Sequence, residues 1–274
     1  PDGRTVLGGA PCNVTWNLQG LGLKPTLLSA VGADTEGEQV RAALFDWGCD
    51  LSGIHFGHAK PTGKVMVQFK DQEPHYDIVE DCAYDWIETD PKHWNNRDYG
   101  LLYVGTLALR TAFAQQSFNT LRKNLDIPLF VDVNRREPWF SEEVLEQILP
   151  HAAWVKMNRD ELAFLSQQAC ETRSQVEDSV AQLRVRYGPA MYWITCGADG
   201  AYAMTPEECL YAPAPPVKDL VDTVGAGDAF SSIVIRGVLQ ECAHAETLSK
   251  ALAFAAKVCT LRGATCTEQA FYLY

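Results

Sequence analysis

Four apolar runs of strand length, LLYV (101–104), LFVDV (129–133), AWVK (153–156) and MYWIT (191–195), occupy the middle of the chain, and stretches of helical periodicity separate them. The helical stretches are 113–125, 141–148, 159–168 and 174–187, the last with Val176, Val180, Leu183 and Tyr187 on one face. Upstream, LLSAV (27–31) reads as a buried strand before Gly32, and 36–47 carries Val40, Leu44 and Trp47 at helical spacing. Apolar runs without polar alternation need cover on both faces, and strands joined through helices run parallel by right-handed crossovers. The expected fold class is therefore α/β, a mostly parallel sheet covered on both sides. With 274 residues the chain suffices for one large domain, taken as 1–274, with a substantial core.

Two regions break the rhythm. Between about 54 and 80, TGKVMVQFK and EPHYDIV alternate across the polar bend Asp71–Glu73, which predicts a β-hairpin and suits a lid beside the sheet. Later, AYAM (201–204) and CLYA (209–212) flank TPEE and predict a second hairpin. The chain opens on the turn signal PDG, so a preceding first strand is expected before Pro1. No internal repeat or low-complexity linker is visible.

Charge narrows the function classes. The formal net charge of −12 disfavours sequence-independent nucleic-acid binding, which needs clustered Lys and Arg. It leaves room for a phosphorylated ligand, because a local site can be amide-lined on an acidic protein. No apolar run approaches the ~20 residues of a membrane span, and nothing resembles a signal peptide. The nine cysteines are scattered without a C-x-x-C pair, which points to reduced thiols in a cytoplasmic protein.

The most informative stretch is DTVGAGDAFSS (222–232). Phe230, Ile233, Val234 and Val238 share a helical face, so a helix is expected to begin near Gly227 or Asp228. A helix start presents unpaired N–H groups and the positive end of the macrodipole. Gly225 and Gly227 permit unusual backbone angles and close approach of an anion, making a cup of the amides from Val224 to Asp228. Three readings of Asp228 are open: a helix cap, part of a dinucleotide fingerprint, or a proton acceptor in phosphoryl transfer. The fingerprint fails because its third small residue would fall on Phe230. A cap and a catalytic base both remain.

DTVGAGDAF resembles the C-terminal signature of the ribokinase-like, or PfkB, family of carbohydrate kinases, and GGAPCNVTWNLQGLG (8–22) resembles its N-terminal signature. VGADTEG (31–37), PTGKV (61–65), DVNRR (132–136), KMNRDEL (156–162) and ITCGADGAY (194–202) follow in the family's order, so the resemblance spans essentially the whole chain. GGAP, YDI with AYD (76–85), and GTLALR (105–110) look most like the fructokinase branch. The resemblance implies a ribokinase-like three-layer sandwich with a small β lid. It implies ATP-dependent phosphorylation of a sugar hydroxyl, with fructose the leading substrate. Alternatives are a kinase for 2-keto-3-deoxygluconate, ribose or a nucleoside, and a non-catalytic sugar or nucleotide sensor.

Carried over position by position, the resemblance makes Asp228 the catalytic base and Gly225, Ala226 and Gly227 the anion hole. Gly8 and Gly9 match the glycines where the lid hinges and the sugar meets the backbone. Asn13 matches a sugar-binding residue that pattern alone would make a helix cap. Thr106, at the carboxyl end of a strand, is a further sugar-site candidate. Asn158 and Glu161 match residues that organise Mg²⁺ and phosphates, though an Asn cap with a first-turn Glu has the same pattern. Thr195, Gly197 and Gly200 match the loop that approaches the nucleotide, and CTLRGA (259–264) a loop bordering the adenine and cation sites. Asp222 matches an acid that helps hold a monovalent cation such as K⁺, with a turn acid as the plain alternative. One of Arg135 and Arg136 is expected to face sugar or phosphate. The implied partners are a small sugar and ATP, with no nucleic acid or membrane, and a homodimer through the lid.

Overall fold

The middle of the chain folds as its periodicity predicts. The computed structural model describes residues 6–70, 73–89, 94 and 99–273, and only the backbone of 67–70 and 73–76. In chain order the elements are α1 (Ala10–Gly20), β1 (Ser29–Gly32), α2 (Thr35–Asp46), β2 (Ile54–His58), β3 (Val65–Lys70), β4 (Glu73–Ile78), β5 (Leu102–Gly105), α3 (Ala112–Leu125) and β6 (Leu129–Asp132). There follow α4 (Glu142–Ile148), β7 (Ala152–Asn158), α5 (Arg159–Ser166), α6 (Arg173–Tyr187), β8 (Met191–Thr195), β9 (Ala201–Met204), β10 (Cys209–Ala212), α7 (Ala226–Leu239) and α8 (His244–Val258).

Among the described residues the main sheet has six strands in the order β10-β9-β8-β7-β6-β5. The run from β5 to β8 is parallel, and β9 and β10 add the expected antiparallel hairpin. Successive residues of β8 explain the three layers. Met191 and Trp193 enter one hydrophobic cluster with Phe230, Val234, Leu248 and Phe254 of α7 and α8. Tyr192 and Ile194 enter the opposite cluster with Leu162, Val180 and Leu183 of α5 and α6. A strand whose alternate residues both find apolar partners must lie between two helical layers.

The hairpin expected between 54 and 80 forms as β3 and β4, paired antiparallel from Val65 with Ile78 to Lys70 with Glu73. Its bend residues, Asp71 and Gln72, lie outside the described residues. The strand expected at 27–31 is found as β1. It pairs in parallel with β2 as a separate two-stranded sheet, not within the main sheet. VGADTEG and PTG tie that sheet to the lid. The Asp34 carboxylate accepts from the amides of Gly37 (2.8 Å) and Thr62 (2.8 Å) and from the Thr62 hydroxyl (2.6 Å). These bonds lower the Asp34 carboxyl from its ordinary range, the Thr62 hydroxyl first. These motif residues therefore fix the base of the lid.

Candidate active site

The carboxyl ends of the parallel strands form a stepped edge. Gly105 lies opposite Asp132, Asp132 opposite Lys156, and Asn158 opposite Thr195. Open α/β sheets place ligands along such an edge. The second turn of α7 meets it there, since Ser231 donates to Asp132 (3.0 Å).

The two glycines of the α7 turn differ in purpose. Gly225 has φ 80°, in the left-handed region, and a Cβ there would fall 2.3 Å from the Ala264 Cβ. It makes the turn and lets the 259–264 loop close against it. Gly227 has no left-handed φ, which corrects the expectation of unusual backbone angles at both positions. A Cβ on Gly227 would instead stand 3.1 Å from the Lys156 Nζ. Asp228 is not the cap: Gly225 holds that position, and among the described residues no side chain caps α7. Among the described residues the Ala226 amide donates back to the Thr223 carbonyl (3.2 Å), so only part of the first turn of this apolar helix is left to an outside acceptor.

The Asp228 carboxylate is occupied elsewhere. It accepts a 2.7 Å hydrogen bond from the Asn13 amide, bringing the two signature motifs together from opposite ends of the chain. Burial pushes the Asp228 carboxyl up to about 6; the Asn13 bond opposes this, Asp132 adds to it, and Lys156 and Arg136 oppose it. A carboxylate in that range is ionised at neutral pH and basic enough to accept a proton. Asn13 lies inside α1, whose cap is Gly9 at φ 100°, so it does not cap the helix. Its Oδ1 is buried without a protein partner among the described residues. A buried amide acceptor without a donor is suited to a ligand hydroxyl. Gly8 and Gly9 precede it, and a Cβ on either would meet open space.

A buried network beneath the turn was not foreseen as part of the site. Lys156 donates to both oxygens of Asp132 (3.0 and 3.2 Å), and the Tyr103 hydroxyl donates to the same carboxylate at 3.2 Å. Asp132 is fully buried and Lys156 nearly so. Burial pulls the lysine down, but Asp132 and Glu161 outweigh it and hold the ammonium above its ordinary range. DVNRR and KMNRDEL contain both residues, and the available signal was a charge at the end of each apolar strand.

Asn158 and Glu161 form the capping box that helix physics predicts. Asn158 Oδ1 accepts from the Glu161 amide and Glu161 Oε2 from the Asn158 amide, both at 2.8 Å. Glu161 Oε1 also accepts from the Arg135 amide at 2.7 Å, fixing the loop after β6. Burial raises the Glu161 carboxyl, with Lys156 opposing. Among the described residues no group of three or more His, Cys, Asp or Glu is arranged to hold a metal ion. Asn158 and Glu161, matched above to an ion and phosphates, spend Oδ1 and both carboxylate oxygens on backbone amides.

Other candidates sort by their contacts. The Thr106 hydroxyl donates to the Val133 carbonyl (2.6 Å), leaving its oxygen only as an acceptor for a ligand. Thr195 ends β8, and Gly197 lies exposed at φ 58°. Gly200, at φ 128°, passes so close to β10 that a Cβ would fall 2.1 Å from the Ala212 carbonyl oxygen. Asp222 Oδ1 accepts from the Val224 amide (3.0 Å), the turn that the plain alternative predicts. Arg135 pairs with Glu137 and stacks 3.7 Å above Phe164. Arg136 is the arginine whose charge is felt at Asp228.

A helix start without a side-chain cap, a buried carboxyl of raised pKa and an unpartnered amide oxygen share one sheet edge, the kinds of group that transfer of a phosphoryl group to an alcohol requires. The chain belongs to the pfkB family of carbohydrate kinases, whose family pattern matches residues 1–270. It is similar to a fructokinase of Salmonella typhimurium, 28% identical over 94% of this chain and 87% of that protein. The structure of an uncharacterized sugar kinase, PH1459, from Pyrococcus horikoshii in complex with ATP is 28% identical. It superposes with a TM-score of 0.78, covering 94% of this chain and 84% of the other. Arabidopsis thaliana ribokinase, complexed with ribose and ATP, shares the fold at a TM-score of 0.81 and 21% identity, over 99% and 90% of the two chains.

Proposed function

We propose that this carbohydrate kinase transfers the γ-phosphoryl group of ATP to a hydroxyl of fructose. The observation that carries the chemistry is Asp228, held by Asn13 beside the uncapped start of α7. In this reading the sugar hydroxyl gives its proton to Asp228 as its oxygen attacks phosphorus. The amides of Gly225 and Gly227, and that of Ala226 once it releases the Thr223 carbonyl, receive the charge that develops on the phosphoryl oxygens. Asn13 Oδ1 accepts from a second sugar hydroxyl, and Gly8, Gly9 and Thr106 line the sugar. The nucleotide lies by Thr195, Gly197 and Gly200, and Asn158 and Glu161 would hold its ion. When bound, Mg²⁺ neutralises phosphate charge, and K⁺ is assigned to the side of the hole near Asp222. The lid is also the proposed dimer contact, because Val65 and Met66 of β3 are exposed apolar side chains. The enzyme is placed in the cytoplasm, where its nine free thiols stay reduced.

Support for fructose comes from the resemblance of GTLALR and the AYD segment to fructokinases, and from the similarity to the Salmonella enzyme. Described charged side chains of the lid region are committed to partners within the protein. Asp81 pairs with Lys60, and buried Asp85 pairs with Arg110, while the side chains of His75 and Tyr76 lie outside the description. Lys64 pairs with Glu36, so it is no ready partner for a sugar carboxylate. The Arg136 charge felt at Asp228 is what favours a sugar acid instead.

ADP release by the full-length protein over fructose, ribose, adenosine and 2-keto-3-deoxygluconate tests the proposal. The expected kcat/KM for fructose is at least ~10-fold above the others, about 1.4 kcal/mol in transition-state binding. A better rate with any of the three overturns fructose alone. Nucleotide and sugar binding without turnover makes the chain a sensor.

A further inference from the structure

The charge behind the anion cup comes from more than backbone amides. Lys156 reaches from β7 to the first turn of α7, where its Nζ stands 3.1 Å from the place a Gly227 Cβ would take. This explains a glycine at a helical position whose backbone does not demand one. The ammonium has three N–H donors, and among the described residues its acceptors are the two oxygens of Asp132, at 3.0 and 3.2 Å. Asp132 is also held by Tyr103 and Ser231, so it has donors besides the lysine. A buried ion pair gives weak net stability, and apolar residues of similar volume commonly serve as well. This pair lies against the helix start to which the kinase reading assigns the phosphoryl group. There a cation strengthens the site most, because buried charges are poorly screened.

We propose that Lys156 is a catalytic residue of the phosphoryl transfer, binding the migrating phosphoryl group through the first turn of α7, and that Asp132 is the residue that positions it. The inference rests on the kinase reading. In the step, the acceptor O–H proton passes to Asp228 and the oxygen's electron pair forms the new O–P bond. The bond from the γ-phosphorus to its bridging oxygen breaks, and that pair leaves on ADP. Lys156 exchanges neither proton nor electrons. Its N–H groups shift from Asp132 towards the phosphoryl oxygens as negative charge accumulates on them.

The test compares Lys156→Met with the doubly neutral Asp132→Asn/Lys156→Met, which leaves no unpaired buried charge and keeps the experiment interpretable where the single variant folds poorly. In both, kcat for sugar-dependent ADP release should fall ~10²–10³-fold, the scale of losing one preorganised donor. Affinity for ADP should stay within about threefold, while affinity for ADP with aluminium fluoride and Mg²⁺ should fall at least about tenfold. A structural lysine predicts the opposite: the double variant would regain wild-type turnover and wild-type affinity for the fluoride complex, and that result overturns the proposal. A wild-type protein that releases no ADP with any sugar defeats the kinase reading alone. The fluoride-complex arm still reports whether Lys156 touches the phosphoryl position, and a wild type that does not bind it defeats both.

Discussion

Replacing Asp228 with Asn separates what this side chain does for catalysis from what it costs the fold. The substitution keeps shape and an oxygen that can still accept from Asn13, so the 2.7 Å contact between the helices survives. What disappears is the charge and the ability to take a proton. Turnover should drop by ~10²–10⁴, the usual scale for loss of a general base. Wild-type kcat/KM should fall about tenfold per pH unit below the Asp228 value of about 6, and the Asn variant should lose this limb.

The same carboxyl predicts a stability change of definite sign. Its value rises from 3.8 to about 6 on folding, so between these values the folded state binds the proton more tightly than the unfolded chain. Stability contributed by this group is therefore lost as pH rises through that window, and the loss is complete above about 6. A shift of ~2 units corresponds to at most about 3 kcal/mol, less because Asp228 is only half-buried by surface area. The Asn variant should consequently be the more stable protein at pH 7 in urea titration, with the difference vanishing below about pH 4. Near-normal turnover in the variant, or wild-type activity flat down to pH 5, refutes the assignment of Asp228 as the base.

Gly225→Ala should destabilise by at least ~2 kcal/mol in urea titration, because it combines a left-handed φ with the contact to Ala264; wild-type stability would refute the strained turn. Arg136→Met should lower kcat/KM more than ~10-fold with unchanged melting temperature, while Arg135→Met should leave turnover within a few-fold; equal effects would refute the distinction drawn between them. Asp85→Ala should cost ~3–5 kcal/mol, since it strands the buried Arg110 guanidinium that now forks onto Asp85 at 2.6 and 2.7 Å, and a change under 1 kcal/mol in urea would count against it.

The fold was legible because its signals are local. Met191 to Ile194 can be apolar throughout only between two layers, and the spacing of Val176, Val180 and Leu183 survives whatever packs against it. Helix α8 escaped notice because its buried face includes Thr247 and Ala251 among larger residues, a faint stripe that packing against α7 turns into a core surface. The site was legible where one chain segment builds it. Gly225 to Asp228 announced a helix start with an acid, but the sequence could not say that Asp228 turns away from the cap towards Asn13. That choice depends on α1 lying against α7, a contact across 215 positions. Asp132 and Lys156 were least legible, because a charge ending an apolar strand has the same local pattern whether it enters solvent or a buried site. Only the register of β6 and β7 pairs them, and only α7 seated above them gives the lysine a phosphoryl group to face. The positions that distinguish a kinase site from a helix cap are thus those whose partners are farthest away in sequence.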